Sequence, residues 1–74
     1  MTSRFTVTAN DKEYKCYREI EGKRVFRQCI TVEGFGSKND ENDYGYNSKY
    51  VSVSAMEHFA KVIARELINA KTWN

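Results

Sequence analysis

An α+β fold, with an antiparallel meander of three to four strands packed against one C-terminal helix in the order β-β-β-(β)-α, is what the sequence predicts. Two patterns carry that prediction. Apolar and polar residues alternate with period 2 as far as residue 33, and a 3.6-residue apolar period takes over after Ser54. Turn-forming residues fall between the alternating runs, at Asn10-Asp11 and Glu21-Gly22-Lys23. At 74 residues the chain has the length of one domain, divided into a sheet over 3–33, a long polar loop over 36–48, a short strand over 49–53 and a helix over 55–70.

In the first run Phe5, Val7 and Ala9 alternate with Arg4, Thr6 and Thr8, the pattern of a strand with one buried face. The second run, 13–20, sets Tyr14, Cys16 and Ile20 against Lys15, Tyr17 and Glu19. Arg18 breaks that phase, which implies either a position near the strand end, where a long side chain reaches water, or a bulge. Gly22 is free to take positive φ in the turn that follows. The third run, 24–33, offers Phe26, Ile30 and Val32 to the core and Val25, Arg27 and Thr31 to the opposite face.

After Gly34-Phe35-Gly36, the stretch 37–48 is rich in Asn, Asp, Gly, Ser and Tyr and almost free of aliphatic residues, which reads as the longest loop. Alternation returns with Val51 and Val53. Ser54 with Glu57 three residues on forms a capping box, so the helix is expected to start there. Met56, Phe59, Ala60, Ile63, Leu67 and Ala70 then share one arc of the wheel, and Glu57, His58, Lys61 and Arg65 occupy the other, together with Ile68. Ile68 is accordingly expected at the surface, either exposed near the helix end or in a dimer contact. Lys71 to Asn74 read as a tail, with Trp73 folding back as a lid on the core.

Composition narrows the function classes. Twelve Lys and Arg face ten Asp and Glu, a net charge of +2 that permits a nucleic-acid partner without requiring one. No apolar run reaches the roughly 18–20 residues of a membrane span, and the N-terminus alternates where a signal peptide would be apolar, so a cytoplasmic, non-membrane protein is expected. Two cysteines without CxxC spacing, Cys16 and Cys29, are expected as reduced core thiols.

Enzyme signatures are missing from the sequence. His58 is the one histidine, on the polar arc of the helix, and no nucleophile has a base beside it in sequence. Asp40, Asn42 and Gly45 fit positions of a calcium loop, but Tyr44 and Val51 stand where further oxygen ligands are needed. No catalytic residue, metal ligand or cofactor is therefore expected, and the chain reads as a macromolecule-binding or regulatory module. Small domains of this sort are common among phage and mobile-element accessory proteins.

Two surfaces compete for the binding role. Phe35, Tyr44, Tyr46 and Tyr50 interleave with Asp40, Glu41 and Asp43 around the polar loop, and tyrosines beside carboxylates suit a protein partner, with Ile68 as an added contact. This protein-binding reading leads, for a monomer or a homodimer. The alternative is DNA binding through the sheet face turned away from the helix, where Arg4, Lys15, Tyr17 and Arg27 are expected, flanked by Lys23 and Arg24 and diluted by Glu13 and Glu19. Tyr17-Arg18 and Gly22-Lys23-Arg24 around the second turn, in a three-stranded meander followed by a helix, resemble the hairpin of AP2-type and integrase arm-binding domains. The resemblance spans 4–33 and the helix, and it implies a sheet laid in the DNA major groove. Those domains join the third strand to the helix by a short connection, whereas this chain inserts 37–48.

Overall fold

The computed structural model describes residues 2–45 and 53–73. Five strands precede one helix: β1 (Thr2–Ala9), β2 (Lys12–Glu21), β3 (Val25–Val32), β4 (Gly36–Asn39), β5 (Tyr44–Gly45) and α1 (Val53–Trp73). The sheet is antiparallel in the order β1-β2-β3-β4, with β5 also on β3, and one C-terminal helix covers one of its faces. The predicted α+β meander is the observed fold.

Local chemistry sets the registers. Asn10 and Asp11 both take left-handed φ, 54° and 61°, and Ala9 pairs with Lys12, which defines a two-residue hairpin turn matched to the twist of its strands. Gly22 sits at φ 116°, and a Cβ there would lie 1.9 Å from the Val25 carbonyl oxygen, so no other residue fits the second turn. Pairing of β1 with β2 runs unbroken from Thr2↔Glu19 to Ala9↔Lys12, and β2 with β3 from Cys16↔Val32 to Glu21↔Arg27. Arg18 therefore lies in register with no bulge. It keeps the core-facing phase, half-buried between Ser3 and Ile30, with its Nε enclosed and without a hydrogen-bond partner among the described residues.

The core lies between the sheet and α1, built from Val7, Cys16, Ile30 and Val32 on the strands and Ala60, Ile63, Ala64 and Ile68 on the helix. Phe5, Ala9, Tyr14 and Leu67 pack at its margin. Here the helix departs from expectation. Ile68 is 0% exposed and Ala70 is exposed, so the buried arc is turned by about 60° from the predicted one, on a wheel of 100° per residue. Ala64 and Ile68 pack in one cluster with Ile30 and Val32 of β3, the strand against which α1 chiefly lies.

Three further boundaries differ. The helix opens at Val53, so Ser54 lies inside its first turn instead of capping it, and Val53 leaves the strand expected over 49–53. At the other end α1 continues to Trp73, which makes the expected tail helical. The stretch read as one long loop contains β4 and β5, both paired with β3. Tyr46, Tyr50, the rest of the strand expected over 49–53 and the side chain of Trp73 lie outside the described residues. No helix among the described residues is long and apolar enough to cross a membrane.

Candidate functional site

The segment from β4 to β5 follows from the pairing demands of β3. That strand extends beyond the end of β2, and its first residues, Val25 and Phe26, pair with Gly45 and Tyr44. Further along it, Cys29 pairs with Asn39, and the Asp40 amide continues the ladder by donating to the Gln28 carbonyl at 2.9 Å. Between these two registers the partner segment carries two more residues than β3 does. An even insertion preserves the alternation of faces. Asp40 and Tyr44 consequently point to the same side as Phe26, Gln28, Ile30 and Val32, toward the helix, and Glu41 and Asp43 project to solvent or the sheet's open face.

The inward groups form a buried polar cluster. Gln28 is 2% exposed, Asp40 4% and Tyr44 2%. Gln28 Nε2 donates to Asp40 Oδ2 at 2.7 Å and to the Met56 carbonyl in the first turn of α1 at 3.0 Å. The Tyr44 hydroxyl donates a short hydrogen bond to the same Asp40 oxygen. The other oxygen, Oδ1, accepts from the amide and the side-chain nitrogen of Asn42, both at 2.9 Å. Burial alone pushes the Asp40 carboxyl upward, but the bonds from Gln28, Tyr44 and Asn42 outweigh it and hold the group below the usual carboxylate range. Burial, reinforced by the bond to Asp40 and its charge, pushes the Tyr44 phenol well up. An acceptor held ionised and a donor held protonated make a clamp between helix and loop. Gln28 Oε1 is enclosed in this cluster without a hydrogen-bond partner among the described residues.

The outward groups of the same segment meet the open face of the sheet. Glu19, Glu21, Arg27, Cys29, Asn39, Glu41 and Asp43 line an open concavity of about 620 Å³. Its one cation among the described residues, Arg27, is paired with Asp43 at 2.6 Å, and the Thr2 hydroxyl bonds Glu19, which lowers the pKa of that carboxyl. Beyond the concavity the face is mixed: Arg4 beside Tyr17, Thr6 beside Lys15, Thr8 beside Glu13, and the Tyr17 hydroxyl donating to Glu33 at 3.2 Å.

Several residues expected to bind partners are placed elsewhere. Ile68 and Tyr44 are core groups, because the helix phase and the even insertion turn both inward. Phe35 is half-buried against the core, edge-on to Tyr14 with ring centroids 5.4 Å apart, under the Lys71 ammonium, which also donates to the Gly34 carbonyl at 2.7 Å. It pins the β3–β4 turn to the helix end. Arg4, Lys15, Tyr17 and Arg27 do share the open face, and Lys23 and Arg24 are exposed at its hairpin, but Glu13, Glu19, Glu21 and Glu33 stand among them. Both cysteines are free thiols; Cys16 is in the core, whereas Cys29 faces the concavity, half-buried. Among the described residues no three His, Cys, Asp or Glu side chains gather as a metal site.

Sequence reasoning missed Gln28 and the inward turn of Asp40. The signal for Gln28 was present, since it alternates in phase with Phe26, Ile30 and Val32. No protein-family model matches the chain, and no curated protein and no solved structure match it.

Proposed function

We propose that the chain is a non-enzymatic protein-docking module that receives a basic segment of its partner in the acidic concavity beside the 40–43 loop. The observation that carries this reading is the grouping of Glu19, Glu21, Glu41 and Asp43 around one hollow in which Arg27, the only cation among the described residues lining it, is already paired. Potentials of one sign inside a concave surface attract and orient a partner of the opposite sign. The clamp of Gln28, Asp40 and Tyr44 supports the reading, because it fixes the loop before a partner arrives and lowers the entropy lost on binding. It also speaks against catalysis: the two buried acids are committed to each other. Negative charge among Arg4, Lys15 and Arg27 supports a protein partner over DNA, whose phosphates would meet Glu13, Glu19 and Glu33 on the same face.

A titration with a Lys/Arg-rich peptide and with mixed-sequence duplex DNA, at low and then moderate salt, tests the assignment. Salt-sensitive binding of the peptide is expected, weakened by Glu21→Lys and Glu41→Lys by about 1 kcal/mol each, roughly fivefold. DNA binding that falls in Arg4→Ala and Lys15→Ala, without peptide binding, would replace this reading with the nucleic-acid one.

A further inference from the structure

β1 forms one edge of the sheet. Among the described residues β1 pairs only with β2, and it is an eight-residue edge without proline or bulge and with Arg4 as its one charged residue. Exposed edges of this length are ordinarily blunted by such devices, because their unpaired amides and carbonyls invite another strand. The opposite edge is protected: β4 has four residues, and its Lys38 is paired with Glu66 at 3.1 Å.

Ala9 and Lys12 flank the two-residue turn and so form a hydrogen-bonded pair, which makes the backbone groups of Ser3, Phe5, Val7 and Ala9 face β2. Those of Thr2, Arg4, Thr6 and Thr8 face outward. The Thr8 carbonyl shows this directly, since Arg65 Nε on the helix reaches it at 3.4 Å.

We propose that the chain forms a two-fold dimer in which β1 pairs antiparallel with β1 of a second copy, with the axis at Phe5. This register uses all four outward-facing residues, setting Arg4 against Thr6 and Thr2 against Thr8 in hydrogen-bonded pairs. An axis at Arg4 would oppose two arginines, and axes at Thr6 or Val7 would run the pairing into the Asn10-Asp11 turn. On the helix side, Phe5 meets Phe5 of the second copy and Ser3 meets Val7, as close non-hydrogen-bonded neighbours. Phe5 is half-buried in the single chain and borders a groove of about 210 Å³ between β1 and α1, lined also by Ser3, Arg18, Glu57 and Lys61.

The two ends of the helix flank above this edge are complementary in charge. Glu57 stands at the Ser3–Arg4 end of β1 and Arg65 at the Thr8 end, with Lys61 between them and exposed. A two-fold axis at Phe5 turns the Glu57 end of one copy toward the Arg65 end of the other. Each guanidinium then exchanges its long contact with Thr8 for a carboxylate, and the Thr8 carbonyl accepts the Thr2 amide of the second copy. A second copy fits this edge better than an unrelated strand does, because one symmetry operation satisfies the strand register and both Glu57–Arg65 pairs, while the two Lys61 ammonium groups that it brings toward each other stay exposed to water.

Sedimentation equilibrium from micromolar to millimolar concentration tests the dimer. A reversible shift toward twice the monomer mass is expected, and a monomer throughout would overturn the proposal. Thr6→Pro removes an outward-facing amide that β2 does not use, so it should give a folded monomer by circular dichroism; an undiminished dimer would exclude the edge. Glu57→Lys, which leaves β1 untouched, should weaken the dimer several-fold, and Glu57→Lys with Arg65→Glu should restore it. A double variant no tighter than the single one would overturn the register.

Discussion

Ile68→Asp should abolish the cooperative thermal transition, whereas Ala70→Asp, two residues on, should leave it in place. Ile68 is fully enclosed in the core cluster with Ile30, Val32 and Ala64, and Ala70 is exposed. A large-to-small change at full burial removes about 2–5 kcal/mol, and a carboxylate in the same space must be either desolvated or protonated at further cost. The whole net stability of a chain this short is about 4–11 kcal/mol. The two losses together reach that margin, so the expected result is an unfolded or molten chain by circular dichroism. For Ala70→Asp the main cost is a negative charge in the last helical turn, up to about 1 kcal/mol, a fall in Tm of about 4–8 °C. The reverse outcome, with Ala70→Asp unfolding the chain and Ile68→Asp tolerated, would mean that the helix presents the face that its sequence first suggests.

That pair of variants marks where the sequence is legible and where it stops. The meander was readable because each strand alternates on its own and each turn has its own chemistry, Asn10-Asp11 at left-handed φ and Gly22 against the Val25 carbonyl. These are local causes. The helix phase is not local: two overlapping arcs are both apolar, and the choice between Phe59 with Ala70 and Ala64 with Ile68 depends on how α1 crosses β3. The short strands β4 and β5 were hidden for a similar reason. Gly-Ser-Lys-Asn and Tyr-Gly have no apolar alternation, and they become strands because β3 has an unpaired side to fill.

The candidate site divides along the same line. Its acidic residues were visible as a composition, but the sorting of Asp40 and Tyr44 inward and Glu41 and Asp43 outward rests on the two-residue insertion opposite β3. A tyrosine in a polar stretch reads as a contact group until its strand partner is known. Arg27 illustrates the converse: its place on the open face was legible, and its pairing with Asp43, which removes it from a basic surface, required the folded loop.

Asp40→Asn should lower Tm by about 10–20 °C at neutral pH, a loss of about 2–3 kcal/mol for a chain of this size. The carboxylate accepts from Gln28 and Tyr44 on one oxygen and from Asn42 twice on the other. An amide has one oxygen to offer, so its nitrogen faces either the Gln28 and Tyr44 donors or the half-buried Asn42 donors, and the bonds on that side are lost. The pH dependence supplies the sharper test. Asp40 is held below the usual carboxylate range in the fold, so the unfolded chain takes up the proton first as pH falls. The stabilisation is therefore complete above the unfolded carboxylate pKa of about 3.9 and is lost as pH drops through the lower folded value. The amide that replaces the carboxylate cannot titrate. The gap in stability between the parent and the Asp40→Asn chain should be widest near neutrality and close progressively in acid, while Tyr44→Phe, which removes one of the four bonds, should shrink the acid-dependent part without eliminating it. Parallel pH profiles for parent and Asp40→Asn would show that the carboxylate is not what fastens the loop to the first turn of α1. A converging pair, accompanied by weaker capture of a basic peptide by Asp40→Asn at neutral pH, would tie the buried clamp to the acidic hollow that it holds in shape.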